Sequence, residues 1–209
     1  MRCNPLSTDR PDASANGGNF GALIRHYRRH HRPRTAKELK FFETMSSFEL
    51  AVHHATLAID RRGKRFGHQC RIPLASLKRA KVLLEAAIPR LKGCTTFHEL
   101  HSLLLQVLGG VHGLGELYVY DTALRLGASR GRSHYPEFIY LHRGTRLGAR
   151  VLGLAASASY IARDQLPAPL RTLEPFEAED FLCIYRDQFR NVKANPHIHT
   201  DDGKTSGDE

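Results

Sequence analysis

The 209-residue sequence has no tryptophan, only two methionines and four cysteines. Cys3, Cys70, Cys94 and Cys183 include no C-x-x-C pair. Scattered cysteines in a chain this size read as reduced thiols, mostly small buried hydrophobes, so neither a disulfide scaffold nor a zinc ribbon is expected. Apolar runs are short. None approaches the eighteen or so residues of a membrane-spanning helix, and the segment near Met1 lacks the apolar stretch of a secretory signal. The expected location is the cytoplasm, with no membrane partner. Convincing strand alternation is also missing: Phe138–Leu141 is the single short candidate, and one strand alone has nothing to pair with.

Acidic residues are in deficit as well. Lys and Arg number 31 against 21 Asp and Glu, a formal net charge of +10. Such an excess favours polyanions, nucleic acid first and an anionic membrane surface second. A basic balance also arises in hosts with arginine-rich proteomes, and arginine far outnumbers lysine here.

Helix signals dominate what remains. Thr35-Ala-Lys-Glu38, Ser46-Ser-Phe-Glu49 and Thr96-Phe-His-Glu99 each fit a capping box, in which a hydroxyl and a carboxylate reciprocally satisfy orphan amides at a helix start. The expected elements are a helix or broken pair over 36–59, a basic loop over 60–73, and a helix from Leu74 to about Ile88. An amphipathic helix carrying Phe97, Leu100, Leu103, Leu104, Val107 and Leu108 on one stripe follows, and a last helix runs over about Pro175–Phe189. The fold class is all-α. Residues 1–34, with the run Arg25–Arg34, read as a flexible basic arm, residues 35–190 as the helical domain, and 191–209 as a disordered polar tail.

The most informative stretch is Leu108–Gly127. The amphipathic helix meets Gly109-Gly110, expected to supply a left-handed helix stop. Val111-His-Gly113-Leu114-Gly115 then makes a tight turn into a second helix. Two residues without side chains let a backbone approach a phosphate, and the free amides at a helix start point at the anion with the helix dipole in favour. Glu116 opposes this, since its carboxylate repels a phosphate unless a cation intervenes. Such a connector also arises where glycines merely permit close packing.

These residues resemble the helix-hairpin-helix motif, over about 97–127, in which a G-x-G turn joins two helices and holds a DNA phosphate. The segment Tyr135–Gly153 is similar in layout to the stretch after the hairpin in helix-hairpin-helix DNA glycosylases. The resemblance implies sequence-nonspecific binding to DNA backbone phosphates, in repair or defence. Those glycosylases carry a catalytic Asp after the extended piece and, in bifunctional members, a Lys after the hairpin. This chain has Leu141 and His142 near the first place and Leu117 and Tyr118 near the second, so glycosylase chemistry does not carry over. The Tyr120–Arg125 and Tyr140–Arg146 segments are together similar to a group of bacterial proteins without an assigned activity.

The expected phosphate contacts are Val111, Gly113, Leu114 and Gly115, flanked by Arg125, Arg143, Arg146 and Arg150 and by the loop cations Arg61, Arg62, Lys64 and Arg65. The alternative reading is a nucleic-acid- or nucleotide-processing enzyme with Asp121 and His142 as an acid–base pair, although the simpler account has Tyr120 packing inside and Asp121 accepting a hydrogen bond from it, from an arginine or from a helix terminus. A third is a non-enzymatic subunit of a protein complex. Thirteen histidines, including His53–His54 and His98 with His101, show no zinc-type spacing. Neither metal nor cofactor is expected.

Overall fold

The computed structural model describes residues 20–190, so the expected 191–209 tail and the first nineteen residues of the arm lie outside the described residues. Nine α-helices are found within that range. They are α1 (Phe20–His30), α2 (Arg32–Glu43), α3 (Phe48–Leu57), α4 (Leu74–Ala86), α5 (Ile88–Gly93), α6 (Phe97–Leu108), α7 (Glu116–Ala128), α8 (Arg143–Leu152) and α9 (Pro175–Ile184). The class is mainly helical, as the periodicity predicts.

The Phe138–Leu141 candidate does find a partner. β1 (Ile139–Tyr140) pairs antiparallel with β2 (Tyr160–Ile161), Ile139 facing Ile161 and Tyr140 facing Tyr160. The sequence offers no alternation at 160–161 because a two-residue strand is too short to show any.

Part of the expected arm is folded. Phe20, Ile24 and Tyr27 fall on one face of α1, and Tyr27 is fully buried, its ring packed edge-on to Phe181 of α9 at 5.8 Å. The run over 25–34 therefore belongs to α1 and the start of α2. Its arginines work locally: Arg28 Nη2 donates to the Thr172 carbonyl at 3.2 Å, and Arg32 pairs with buried Glu177 at 2.6 Å. Thr35 is interior to α2 rather than a cap, and its hydroxyl points at Asp180. The next capping residue is Ser47, one place after Ser46, with its Oγ accepting from the Leu50 amide at 3.1 Å. The third capping box forms as expected, Thr96 and Glu99 each accepting from the other's amide.

The apolar interior is divided. One cluster gathers Leu39, Phe42, Val52, Leu77, Leu84, Phe97, Leu100 and Leu104 from helices α2–α6 with Tyr118, Val119, Leu124 and Leu126 of α7. A second gathers Ile24 and Tyr27 with Ile139, Leu141, Ile161, Phe181, Leu182, Tyr185 and Phe189. α8 lies very close to α9: a β-carbon on Gly148 would sit 2.2 Å from the Leu182 carbonyl oxygen. Several ionisable side chains of α7 and α9 are turned inward.

Candidate nucleic-acid interface and the polar layer behind it

The α6–α7 connection is built from the two ends inward. α6 buries Phe97, Leu100, Leu104 and Leu108, so its last turn is anchored in the core. Gly109 keeps right-handed helical backbone (φ −59°, ψ −22°). The expected left-handed stop at the double glycine does not form, and the left-handed residue comes four places later, at Gly113 (φ +84°). A side chain there is disfavoured by backbone strain and by crowding, since a β-carbon would meet Ser76 Oγ at 3.3 Å and Pro73 Cδ at 3.5 Å.

Gly115 then caps α7 in extended backbone without any side-chain cap. His112, Gly113, Gly115, Glu116 and Leu117 are exposed. Two of the amides expected to face outward are occupied: Val111 N–H donates to the Leu108 carbonyl at 2.9 Å, and Leu114 N–H to the Val111 carbonyl at 3.2 Å. Val111 and Leu114 are half-buried and pack on the first core cluster. Their role is to pin the turn. No hydrogen bond engages the amides of His112, Gly113, Gly115, Glu116 or Leu117 among the described residues. The first turn of α7 thus presents orphan donors to solvent, as a helix start does when nothing caps it.

Two flanking segments reach this turn. Pro73 and Ser76, at the start of α4, lie against Gly113 and bring the 60–72 loop alongside. Arg146 of α8 pairs with Glu116, neutralising the carboxylate that opposes an anion there. Arg143 and Arg150 on α8, with Arg61, Arg62 and Lys64 in the loop, are exposed and make no ion pair among the described residues. A groove of 440 Å³ lined by Ser76, Arg79, Leu83, Val107, Val111 and His112 opens beside the turn.

Two other expected contacts are internal. Arg65 folds back to donate to the carbonyls of Gln69 and Ile72, tying the loop to itself. Arg125 is 1% exposed. Its Nε donates to Glu38 Oε1 at 2.7 Å, its Nη1 to Gln69 Oε1 at 2.7 Å, and its guanidinium lies 4.2 Å over the Phe66 ring. Arg125 is therefore a buried tie between α2, α7 and the loop. Helical periodicity could not show this, because the partners Glu38 and Gln69 are distant in sequence.

Asp121 and His142 are not paired with one another. Asp121 Oδ2 accepts from Gln69 Nε2 at 2.8 Å and lies 2.7 Å from His68 Nε2. Burial pushes the Asp121 carboxyl up, but the charge and hydrogen bond of His68 and the charge of Arg125 outweigh it and hold Asp121 below the usual carboxylate range. His142 is 4% exposed and caps α8, its Nδ1 accepting from the Gly144 amide at 3.2 Å. That bond leaves the proton on Nε2, which donates to Glu179. Burial lowers the His142 basicity and the Glu179 bond and charge raise it, with a net upward shift. His142 is a sealed structural group, so an Asp121–His142 acid–base pair acting on substrate has no geometry to support it.

The layer extends through α9. Burial, and then the charge of Glu179, push Asp180 up to about 7, while Tyr27 donates its hydroxyl to Asp180 at 3.2 Å. The Tyr120 hydroxyl is buried in this layer with no hydrogen-bond partner among the described residues. Phe181 and Leu182 of α9 are fully buried. Helical spacing assigns no role to Glu179 or Asp180, because a buried carboxylate and an exposed one look alike in it, and His68 lies in a three-residue turn too short to show a period. No group of three or more His, Cys, Asp or Glu side chains among the described residues is arranged to hold a metal ion.

The chain matches no family model, no curated protein and no solved structure. The same holds for membrane-spanning features: no helix among the described residues is long and apolar enough to cross a bilayer.

Proposed function

We propose that the protein binds nucleic acid through its backbone phosphates, without reading sequence, with duplex DNA as the reference ligand. One observation carries the reading: an uncapped helix start at Gly115–Leu117, preceded by the left-handed Gly113, turns unpartnered amides to solvent. A phosphate there completes the first turn of α7 and meets the positive end of its dipole. The pairing of Glu116 with Arg146 supports the assignment, as do the exposed Arg143 and Arg150 on α8 and Arg61, Arg62 and Lys64 in the adjoining loop. Contacts of this kind fix position on a nucleic acid and carry no sequence information.

The test is binding to a short duplex at rising salt. Five exposed cations bound the slope of log K against log salt at roughly −4.5, at about 0.9 per neutralised phosphate. R143A and R150A each flatten it by about 0.9, whereas E116Q leaves it negative and tightens binding. Absence of binding in dilute buffer refutes the proposal. So does a slope unaffected by both arginine substitutions.

A further inference from the structure

His68 is the one member of the polar layer that combines a buried anchor with an open ring edge. Its side chain keeps 35% of its surface exposed, against 15% for Asp121. Behind it runs a continuous series of contacts. Glu38 accepts from Arg125, Arg125 donates to the Gln69 side-chain oxygen, Gln69 donates through Nε2 to Asp121, and Asp121 meets His68 Nε2 at 2.7 Å. His68 is the most exposed group of the series, with Glu38 at 23% and Asp121 at 15%.

The tautomer follows from this. An ionised carboxylate is an acceptor only, so Asp121 requires the His68 proton on Nε2. Neutral His68 therefore offers a bare lone pair at Nδ1, which repels a phosphate oxygen. Protonation places N–H there and makes the same atom a charge-assisted donor. Nδ1 has no partner among the described residues.

The position suits the hairpin. Asp121 lies five residues beyond Glu116, about 7.5 Å along α7 at 1.5 Å per residue. That exceeds the axial rise of about 3.4 Å per nucleotide, so the two positions address different phosphates. On its other side His68 is followed within five residues by Pro73, which lies against Gly113. We infer that His68 is a proton-linked phosphate ligand, contacting the backbone beyond the phosphate held by the hairpin and engaging it only when Nδ1 is protonated. This rests on the binding reading above and adds a residue and a pH dependence to it.

The groups that set the protonation are Asp121 and Arg125 on α7, Glu38 on α2, and Glu179 and Asp180 on α9. Burial lowers the basicity of His68, but the charge and hydrogen bond of Asp121 outweigh it, so the ring titrates above the ordinary histidine value of 6.5.

The test is duplex DNA affinity between pH 5.5 and 9 at constant ionic strength. Wild-type affinity should rise as pH falls through the His68 transition, with a linkage of at most tenfold per pH unit for one proton. H68Q should lose that component, and D121N should move the rise to lower pH, a shift that a merely structural role for Asp121 does not produce. The His68 ring resonances, followed by NMR in the free protein, locate the same transition independently of binding and report whether D121N is folded. H112Q removes the separate contribution of the turn histidine. Binding with an undiminished pH dependence in H68Q overturns this inference alone. Absence of binding at every pH overturns the phosphate-binding reading and this inference with it.

Discussion

Substituting Asp180 by asparagine should make the protein more stable at alkaline pH than at acid pH relative to the wild type. Asp180 is a half-buried carboxyl beside a second carboxylate, Glu179, and is pushed up to about 7 from an ordinary 3.8. An acid whose folded ionisation is raised holds its proton more tightly in the native state. It therefore favours folding at low pH and loses that contribution as pH climbs from the unfolded value through the folded one. The window is about pH 4 to 7. A gap of about three pH units corresponds to roughly 4 kcal/mol at 1.36 kcal/mol each. D180N does not titrate. An amide oxygen can still accept from Tyr27, and its fixed desolvation cost is the same at every pH, so it cancels when two pH values are compared. Urea unfolding of both proteins at pH 4.5 and pH 8 should show the variant gaining about 3 to 4 kcal/mol on the wild type across that interval. A difference between the two proteins that stays constant with pH would mean that Asp180 ionises freely in the folded state, and the buried polar layer would have to be redrawn.

Two further substitutions separate structure from binding. R125M leaves Glu38 and Gln69 without their partner and should destabilise the fold by about 3 kcal/mol, largely recovered by adding E38Q. The salt slope of DNA binding should not change, because Arg125 is buried, and a slope flattened by about 0.9 would place it at the interface instead. G148A pushes a β-carbon to 2.2 Å from the Leu182 carbonyl and should destabilise by about 3 kcal/mol in a thermal or urea melt, while G110A, which meets open space, should cost well under 1 kcal/mol. Equal effects of the two glycine substitutions would deny the close α8–α9 contact.

Elements whose signals are local can be read from the residues alone. The Thr96–Glu99 box and the stripe Phe97, Leu100, Leu104 and Leu108 specify α6. The glycines at 113 and 115 specify a turn ahead of α7, because tight reversal and an uncapped start are properties of a few adjacent residues. Even here the detail shifted: the left-handed backbone falls at Gly113, beside Pro73 and Ser76, and not at the double glycine.

Which charges face outward depends on packing between distant elements. Arg125 and Arg143 are equivalent in a list of cations, but one lies over Phe66 between Glu38 and Gln69 and the other lies in solvent. The basic run over 25–34 reads as an arm until Tyr27 is seen against Phe181 and Arg32 against Glu177, partners some 145 to 154 residues away. Likewise the natural guess of Asp121 with His142 gives way to His68 with Asp121 and His142 with Glu179. An ion pair depends on separations of a few ångströms between elements, and the helical period records only which face of one element a residue occupies.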